Sequence, residues 1–258
     1  MRIVVLVKEV PDTYADRTLD LETGLADRDA SDRVPDEIGE RALEVALRYA
    51  DEHPDTEVTV LTMGAEPAGA SIRRMLAMGA AKAVHVVDDD LLGADLGLTA
   101  EVLARAIERI GFDLVLAGDQ STDGSGGVVP SMVAELLGVP QATNLGSVEL
   151  DEARTTGVRA IDGGVERVSA ELPAVVSITE QLPDPRFANF KGIMAAKKKP
   201  IEQVSLGDLG VDAEARDASR SIMIAIAARP PRQAGTKIVD EGDAGSKLAA
   251  FLAENRLV

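Results

Sequence analysis

Four short apolar runs rich in β-branched residues set the limits on this chain. They are RIVVLV (Arg2–Val7), EVTVLTM (Glu57–Met63), KAVHVVD (Lys82–Asp88) and DLVLAG (Asp113–Gly118). They lack the sustained apolar–polar alternation of a half-solvated strand, so they are expected to be covered on both faces. Between them, apolar residues recur at helical spacing. Ile38, Ala42, Leu43, Ala46, Leu47 and Ala50 follow Asp36, a helix-opening residue. Ile72, Met75 and Leu76 follow Pro67 and stop near Gly79, and Leu98, Val102, Leu103, Ala106, Ile107 and Ile110 share a third face. Strands separated by helices imply parallel crossovers. The predicted fold is α/β, a doubly wound and mostly parallel open sheet.

A Gly-rich loop and a helix over about Val128–Leu137 follow the fourth strand. After Pro140 the pattern changes to short strands with Gly and Asp turns: GSVELD, TTGVRAIDGG, VERVSAELP and AVVSITE. These are expected to add antiparallel strands to the sheet edge, with PAVVSIT returning into the core. From Gln181 the chain is Pro-rich and irregular, then basic. SIMIAIA (Ser221–Ala227) reads as one more strand, RPPRQAG (229–235) as irregular, and Ser246–Leu252 as a short terminal helix.

The sequence has no cysteine, which excludes disulfides, zinc–thiolate sites and cysteine nucleophiles. A net charge of −17 over 258 residues argues against nucleic-acid binding, which needs cations to displace counterions from phosphates. No apolar run is long enough to span a bilayer, and MRIVVLVKEV reads as a buried strand, so the simplest compartment is the cytoplasm. His53 and His85 have no nucleophile or metal partner in view and read as structural. No metal-ligand set, nucleophile or general acid–base pair stands out. A nucleotide bound here is expected to be held without being turned over, so the chain does not read as an enzyme.

The candidate binding loop is AGDQSTDGSGG, Ala117–Gly127. It leaves the carboxyl end of the fourth strand and enters a helix, where open α/β sheets bind ligands. Its glycines let the backbone approach a ligand, a helix N-terminus presents free N–H groups to an anion, and Ser121, Thr122 and Ser125 add hydroxyls. The bland alternative is a flexible surface loop. Lys8, at the end of the first strand, either reaches a phosphate or stands solvated. Met63 and Gly64 close the second strand, where backbone would meet an adenine edge; Met63 also fits as plain core. A separate anomaly is KGIMAAKKKP, Lys191–Pro200, basic in an acidic chain. It reads as a solvated charge run or as an interaction spot, an apolar centre in a polar rim.

Six segments then share one resemblance. VRAIDGGVERVSAELPAVVSI (158–178), DPRFANFKGIMAAKKKPIE (184–202), GDLGVD (207–212), PPRQAGTKI (230–238), VLVKEVPD (5–12) and AMGAAKAVHV (77–86) resemble the electron-transfer flavoprotein β-subunit family, in order and over nearly the whole chain. The resemblance implies an adenine-nucleotide-hydrolase-like sheet with antiparallel edge strands and an extended C-terminal arm. It implies a core over 1–182, a partner-recognition loop over 183–203, and an arm over 204–258 that packs on an α subunit. That α subunit holds most of the FAD, and the β subunit binds AMP structurally. The heterodimer takes electrons from acyl-CoA dehydrogenases and similar flavin dehydrogenases, as in fatty acid oxidation, and passes them to a membrane quinone oxidoreductase.

The family's AMP contacts fall on Leu6, on Asp36, Glu37, Ile38 and Gly39, on Met63, and on the loop. The loop positions are Gly118, Asp119, Gln120, Ser121, Thr122, Asp123, Gly124, Ser125, Gly126, Gly127, Val128 and Val129. Better-known members carry a run of Asp and then Cys-Asn-Gln-Thr-Gly there; this chain keeps Asp123 and has valines for the amide and threonine. Backbone contacts survive that change and side-chain contacts do not. Some members hold a second FAD in this place and bifurcate electrons, which stays an alternative. An aromatic that touches the flavin in some members falls near Thr13 and Ile38, one position from Tyr14. Glu166 matches a glutamate thought to pair with an α-subunit arginine beside the flavin. Phe190 stands where the family usually has a leucine anchor for partner dehydrogenases, with Lys191, Ile193, Met194, Lys197, Lys198 and Lys199 around or supporting it. A stand-alone adenine-nucleotide sensor would need neither the DGG segment nor the long tail. An ATP pyrophosphatase would carry a Ser-Gly-Gly-x-Asp-Ser-type loop where this chain reads KEVPDTYAD.

Overall fold

The computed structural model describes residues 1–215, 220–232, 234–235 and 237–258. Two compact units emerge, Met1–Ile224 and Ala225–Val258. In the first, chain order runs β1 (Arg2–Leu6), β2 (Glu9–Pro11), β3 (Arg33–Pro35), α1 (Glu37–Glu52), β4 (Glu57–Met63), α2 (Gly69–Met78), β5 (Lys82–Val86), α3 (Leu96–Ile110), β6 (Leu114–Gly118) and α4 (Val129–Leu137). It continues through β7 (Gln141–Leu145), β8 (Ser147–Leu150), β9 (Arg154–Ile161), β10 (Gly164–Glu171), β11 (Ala174–Ile178), α5 (Phe190–Ala196), β12 (Ile201–Val204) and α6 (Leu206–Leu209). The second unit carries α7 (Ala244–Glu254), which contains the predicted terminal helix.

Seven strands form one parallel sheet in the order β12-β5-β4-β1-β6-β11-β7. The unbroken apolar runs explain the coverage. Ile3 and Val5 face a core built with α1 and α2, while Val4 faces a second core built with α3 and α4. All three are inaccessible to solvent or nearly so. The chain lays β1, β4 and β5 outward on one side, then returns to place β6 on the other side of β1. The strand order thus reverses between β1 and β6, and in such sheets the crevice outside that point is where ligands bind.

The antiparallel strands expected at the sheet edge are present, but they form their own three-stranded sheet, β10-β9-β8. PAVVSIT does return to the core as β11, between β6 and β7. Two strands carried little sequence signal. β7 (QATNL) completes one edge beside β11, and β12 (IEQV) completes the other beside β5. The strand predicted over Ser221–Ala227 does not form: Ile222 and Ile224 are exposed and no neighbouring edge pairs with the run among the described residues. Apolar alternation without a partner edge leaves backbone groups unpaired and makes no strand. The irregular segment predicted at 229–235 falls partly outside the described residues. Among the described residues no helix is long and apolar enough to cross a membrane.

Candidate functional site

The reversal point brings the ends of β1 and β6 under the start of α1. A Cβ on Gly118 would lie 2.9 Å from Ile38 Cγ2, so the last residue of β6 must be glycine for α1 to sit this close. Asp36 caps α1, its Oδ1 accepting from the Ile38 N–H at 3.1 Å. Its other oxygen accepts from the Thr122 N–H at 2.7 Å and from the Thr122 hydroxyl at 2.8 Å. One buried carboxylate therefore both starts the helix and clamps the Gly-rich loop over it. Leu6 is half-buried at the strand end, Gly39 lies on the inner face of α1 beside the Leu6 carbonyl, and Glu37 points outward.

Asp123 is the second fixed point of the loop. Lys8 Nζ lies 2.7 Å from one of its oxygens, and an Arg28 Nη lies 3.4 Å from the other. Lys8 also donates to Ser121 Oγ at 3.3 Å, and the Gly124 N–H donates to Asp123 at 2.6 Å. Burial alone would raise the Asp123 pKa; the bonds from Lys8, Ser121 and Gly124 outweigh it and hold the carboxyl below its usual range. Among the described residues Asp119 has no such cation. Burial, with Glu180 adding to it, pushes its carboxyl up despite the bond from the Gln120 N–H.

From Gly124 to Val128 the loop is exposed, as is Gln120, while Val129 turns partly inward to begin α4. Ser125 and Gly127 take left-handed backbone angles, φ +50° and +67°, and Ser125 closes the turn on the Ser121 carbonyl at 2.9 Å. Nothing lies within 4 Å of a Cβ placed on Gly127, and one placed on Gly124 would fall 3.8 Å from Lys8 Nζ. Gly124 thus lies close over the lysine, and Gly127 borders open space. Across the sheet, Met63 ends β4 half-buried, and the Gly64 N–H donates to the Val86 carbonyl at 3.1 Å. His85, 1% exposed, places Nε2 2.9 Å from the Gly64 carbonyl. The sequence marked His85 only as structural; its link to the Gly64 turn was visible solely as one polar residue inside an apolar strand. His53 lies elsewhere, stacked on Tyr49.

The remaining predicted residues fall outside this crevice. Glu166 pairs across the small sheet with Arg159, 2.7 Å away. Tyr14 is almost fully exposed, the Thr13 hydroxyl reaches Glu37 at 3.4 Å, and Ile38 is buried. Phe190 opens α5, capped by Asn189, whose side chain accepts from the Gly192 N–H at 2.8 Å. Phe190, Lys191, Ile193, Met194, Lys197 and Lys198 are exposed on and beside this helix. Lys199 turns inward and donates to the carbonyls of Leu76, Gly79 and Ala80, at the C-terminal end of α2, at 2.9, 3.2 and 2.6 Å. Burial pushes its pKa down. In return Arg73 of α2 donates to the Ala196 and Lys199 carbonyls, both at 2.7 Å. A Cβ on Gly192 would collide with the Ala77 carbonyl, so α5 lies directly on α2.

The family model described as "Electron transfer flavoprotein domain" matches residues 23–209. The chain is 44% identical to the electron transfer flavoprotein subunit beta of Mycobacterium tuberculosis over 99% of both chains. It is 33% identical to the Bacillus subtilis protein of that name, over 93% of this chain and 91% of the other. It is 34% identical over the whole of both chains to the caffeyl-CoA reductase-Etf complex subunit CarD of Acetobacterium woodii. A sheet crevice with a clamped Gly-rich loop and full-length similarity to these proteins lead to one assignment: the chain belongs to the electron transfer flavoprotein β-subunit family.

Proposed function

We propose that the chain pairs with an electron-transfer flavoprotein α subunit, binds AMP in the crevice between β1 and β6, and helps hold FAD at the subunit interface. The heterodimer carries electrons in the cytoplasm from acyl-CoA and similar flavin dehydrogenases towards a membrane quinone oxidoreductase. The observation that carries this reading is the Asp36 clamp, which fixes the loop from Asp119 to Val128 over the strand ends.

The residues suit a nucleotide. Lys8 and Arg28 offset the charge of Asp123, and the oxygens of Asp36 are occupied by the Ile38 and Thr122 donors. Gly126 and Gly127 are exposed, and Lys8, paired with Asp123, stays half-exposed beside the loop, the kind of backbone and cation a phosphate needs. Lys8 and the loop from Gly124 to Val129 would hold the phosphate, and Met63 and Gly64 the adenine edge, with Leu6 and Gly39 beneath. FAD, when bound, supplies the one-electron and two-electron redox chemistry. This chain's part is to bind, orient and dock. Phe190 is the proposed anchor that enters an apolar pocket on the dehydrogenase.

A second reading places another FAD in the same crevice; the full-length similarity to a subunit of the caffeyl-CoA reductase-Etf complex favours keeping it. Nucleotide extraction from the purified heterodimer separates the two. AMP and FAD in equal amounts support the first reading, and two FAD without AMP the second.

A further inference from the structure

We infer that the groove between α2 and α5 is a receptor that takes an apolar side chain from an acidic surface of the electron-donating partner. This rests on the docking role of α5 proposed above and adds a second, opposite element to it: Phe190 inserts, and the groove receives.

The groove has a volume of about 650 Å³. Its floor is apolar, from Ala77, Ala188, Ile193 and Ala196, and Phe187 forms one side. Phe187 is 94% exposed and Phe190 79% exposed, so two of the chain's four phenylalanines stand in solvent within one short segment. Exposed apolar surface concentrated in this way marks a contact site.

Charge says what covers it. The net charge of the chain is −17, yet the stretch from Arg186 to Lys199 holds five cations and no acid; Arg186 is paired with Glu44 and Asp51 and Lys199 is turned onto carbonyls of α2, which leaves Lys191, Lys197 and Lys198. The opposite wall, from Ala70 to Gly79, brings Arg73 and Arg74 and likewise no acid. Arg74 is offset by Glu40 at 2.9 Å, and Arg73 is used on the end of α5. Among the described residues no carboxylate lies within ion-pair distance of Lys191, Lys197 or Lys198, so these three charges are open to a partner. An apolar floor under a cationic rim selects an apolar side chain flanked by carboxylates. The groove is also rigid: the crossed contacts of Arg73 and Lys199 and the Gly192–Ala77 approach fix α5 on α2, so little ordering cost falls on binding.

The test uses the intact heterodimer and a short-chain acyl-CoA dehydrogenase reduced by its substrate. The half-saturating heterodimer concentration and the limiting electron-transfer rate are read separately, alongside heterodimer yield and flavin content. Ala188→Leu narrows the groove, Lys197→Glu reverses a rim charge on the surface, and Phe190→Ala removes the anchor. The expected result is about a tenfold rise in half-saturation for Ala188→Leu and for Lys197→Glu, with limiting rate, yield and flavin unchanged. If both stay within about twofold of wild type while Phe190→Ala alone rises, the anchor stands and the receptor groove is wrong. If none of the three changes, the docking role of α5 itself has failed. If Ala188→Leu lowers heterodimer yield while the amount of soluble β chain is unchanged, the groove is covered inside the carrier and the inference is overturned. Lys197→Glu, an exposed substitution, keeps the question answerable should Ala188→Leu not fold.

Discussion

Asp36 shows how a single residue ties a helix start to the candidate binding loop. Its two oxygens serve three donors, starting α1 and holding Thr122. Replacing it with Ala removes a helix cap and leaves buried donors unpaired, a loss of about 1–3 kcal/mol. Urea unfolding should show that loss, and the purified heterodimer should carry less AMP. The helix-opening role was legible in the sequence, because Asp before an apolar helical stripe is a local signal. The clamp was not, because Thr122 lies 86 positions away. The two other loop carboxylates give opposite pH behaviour. Asp123, held below its ordinary value of 3.8, stabilises the fold above that value, and the contribution is lost as pH falls through the lower folded value. Asp123→Asn should therefore destabilise at pH 7, with the difference from wild type closing in acid. Asp119, pushed above 3.8 by burial, costs stability once ionised. Asp119→Asn should raise the unfolding midpoint at pH 7 and have no such effect below pH 3.8. Parallel unfolding curves at neutral and acid pH check both.

At the scale of elements, continuous apolar runs were readable because a strand covered on both faces has few polar positions. β1, β4, β5, β6 and β11 all lie where such runs predicted strands. β7 and β12 were not readable, since each is a short edge strand with half or more of its residues reaching solvent. SIMIAIA failed in the other direction, with an apolar run that finds no edge. The basic segment was read as a loop, and it contains a helix because Asn189 caps Gly192 and α2 receives it. That packing depends on Gly192. Gly192→Ala should push α5 off α2, lower the thermal midpoint and weaken docking together, which calorimetry and electron-transfer kinetics on the same sample would show. Lys199→Met should lower the midpoint by removing the three bonds to the end of α2, while leaving the exposed lysines and their docking in place.

Over the whole molecule, the acidic balance and the basic α2–α5 face form a directed charge pattern. A positive patch on a negative protein orients approach to an acidic partner and repels other orientations. Raising ionic strength should slow association with the dehydrogenase and leave the limiting transfer rate unaltered, because screening acts on encounter. The central claim is a nucleotide crevice inside a flavin-carrying heterodimer. The direct measurement is to co-express the chain with its α subunit, purify the complex, and identify and count the released nucleotides. The account predicts a yellow heterodimer that releases one FAD and one AMP. A colourless chain that purifies alone and exchanges ATP freely would contradict it.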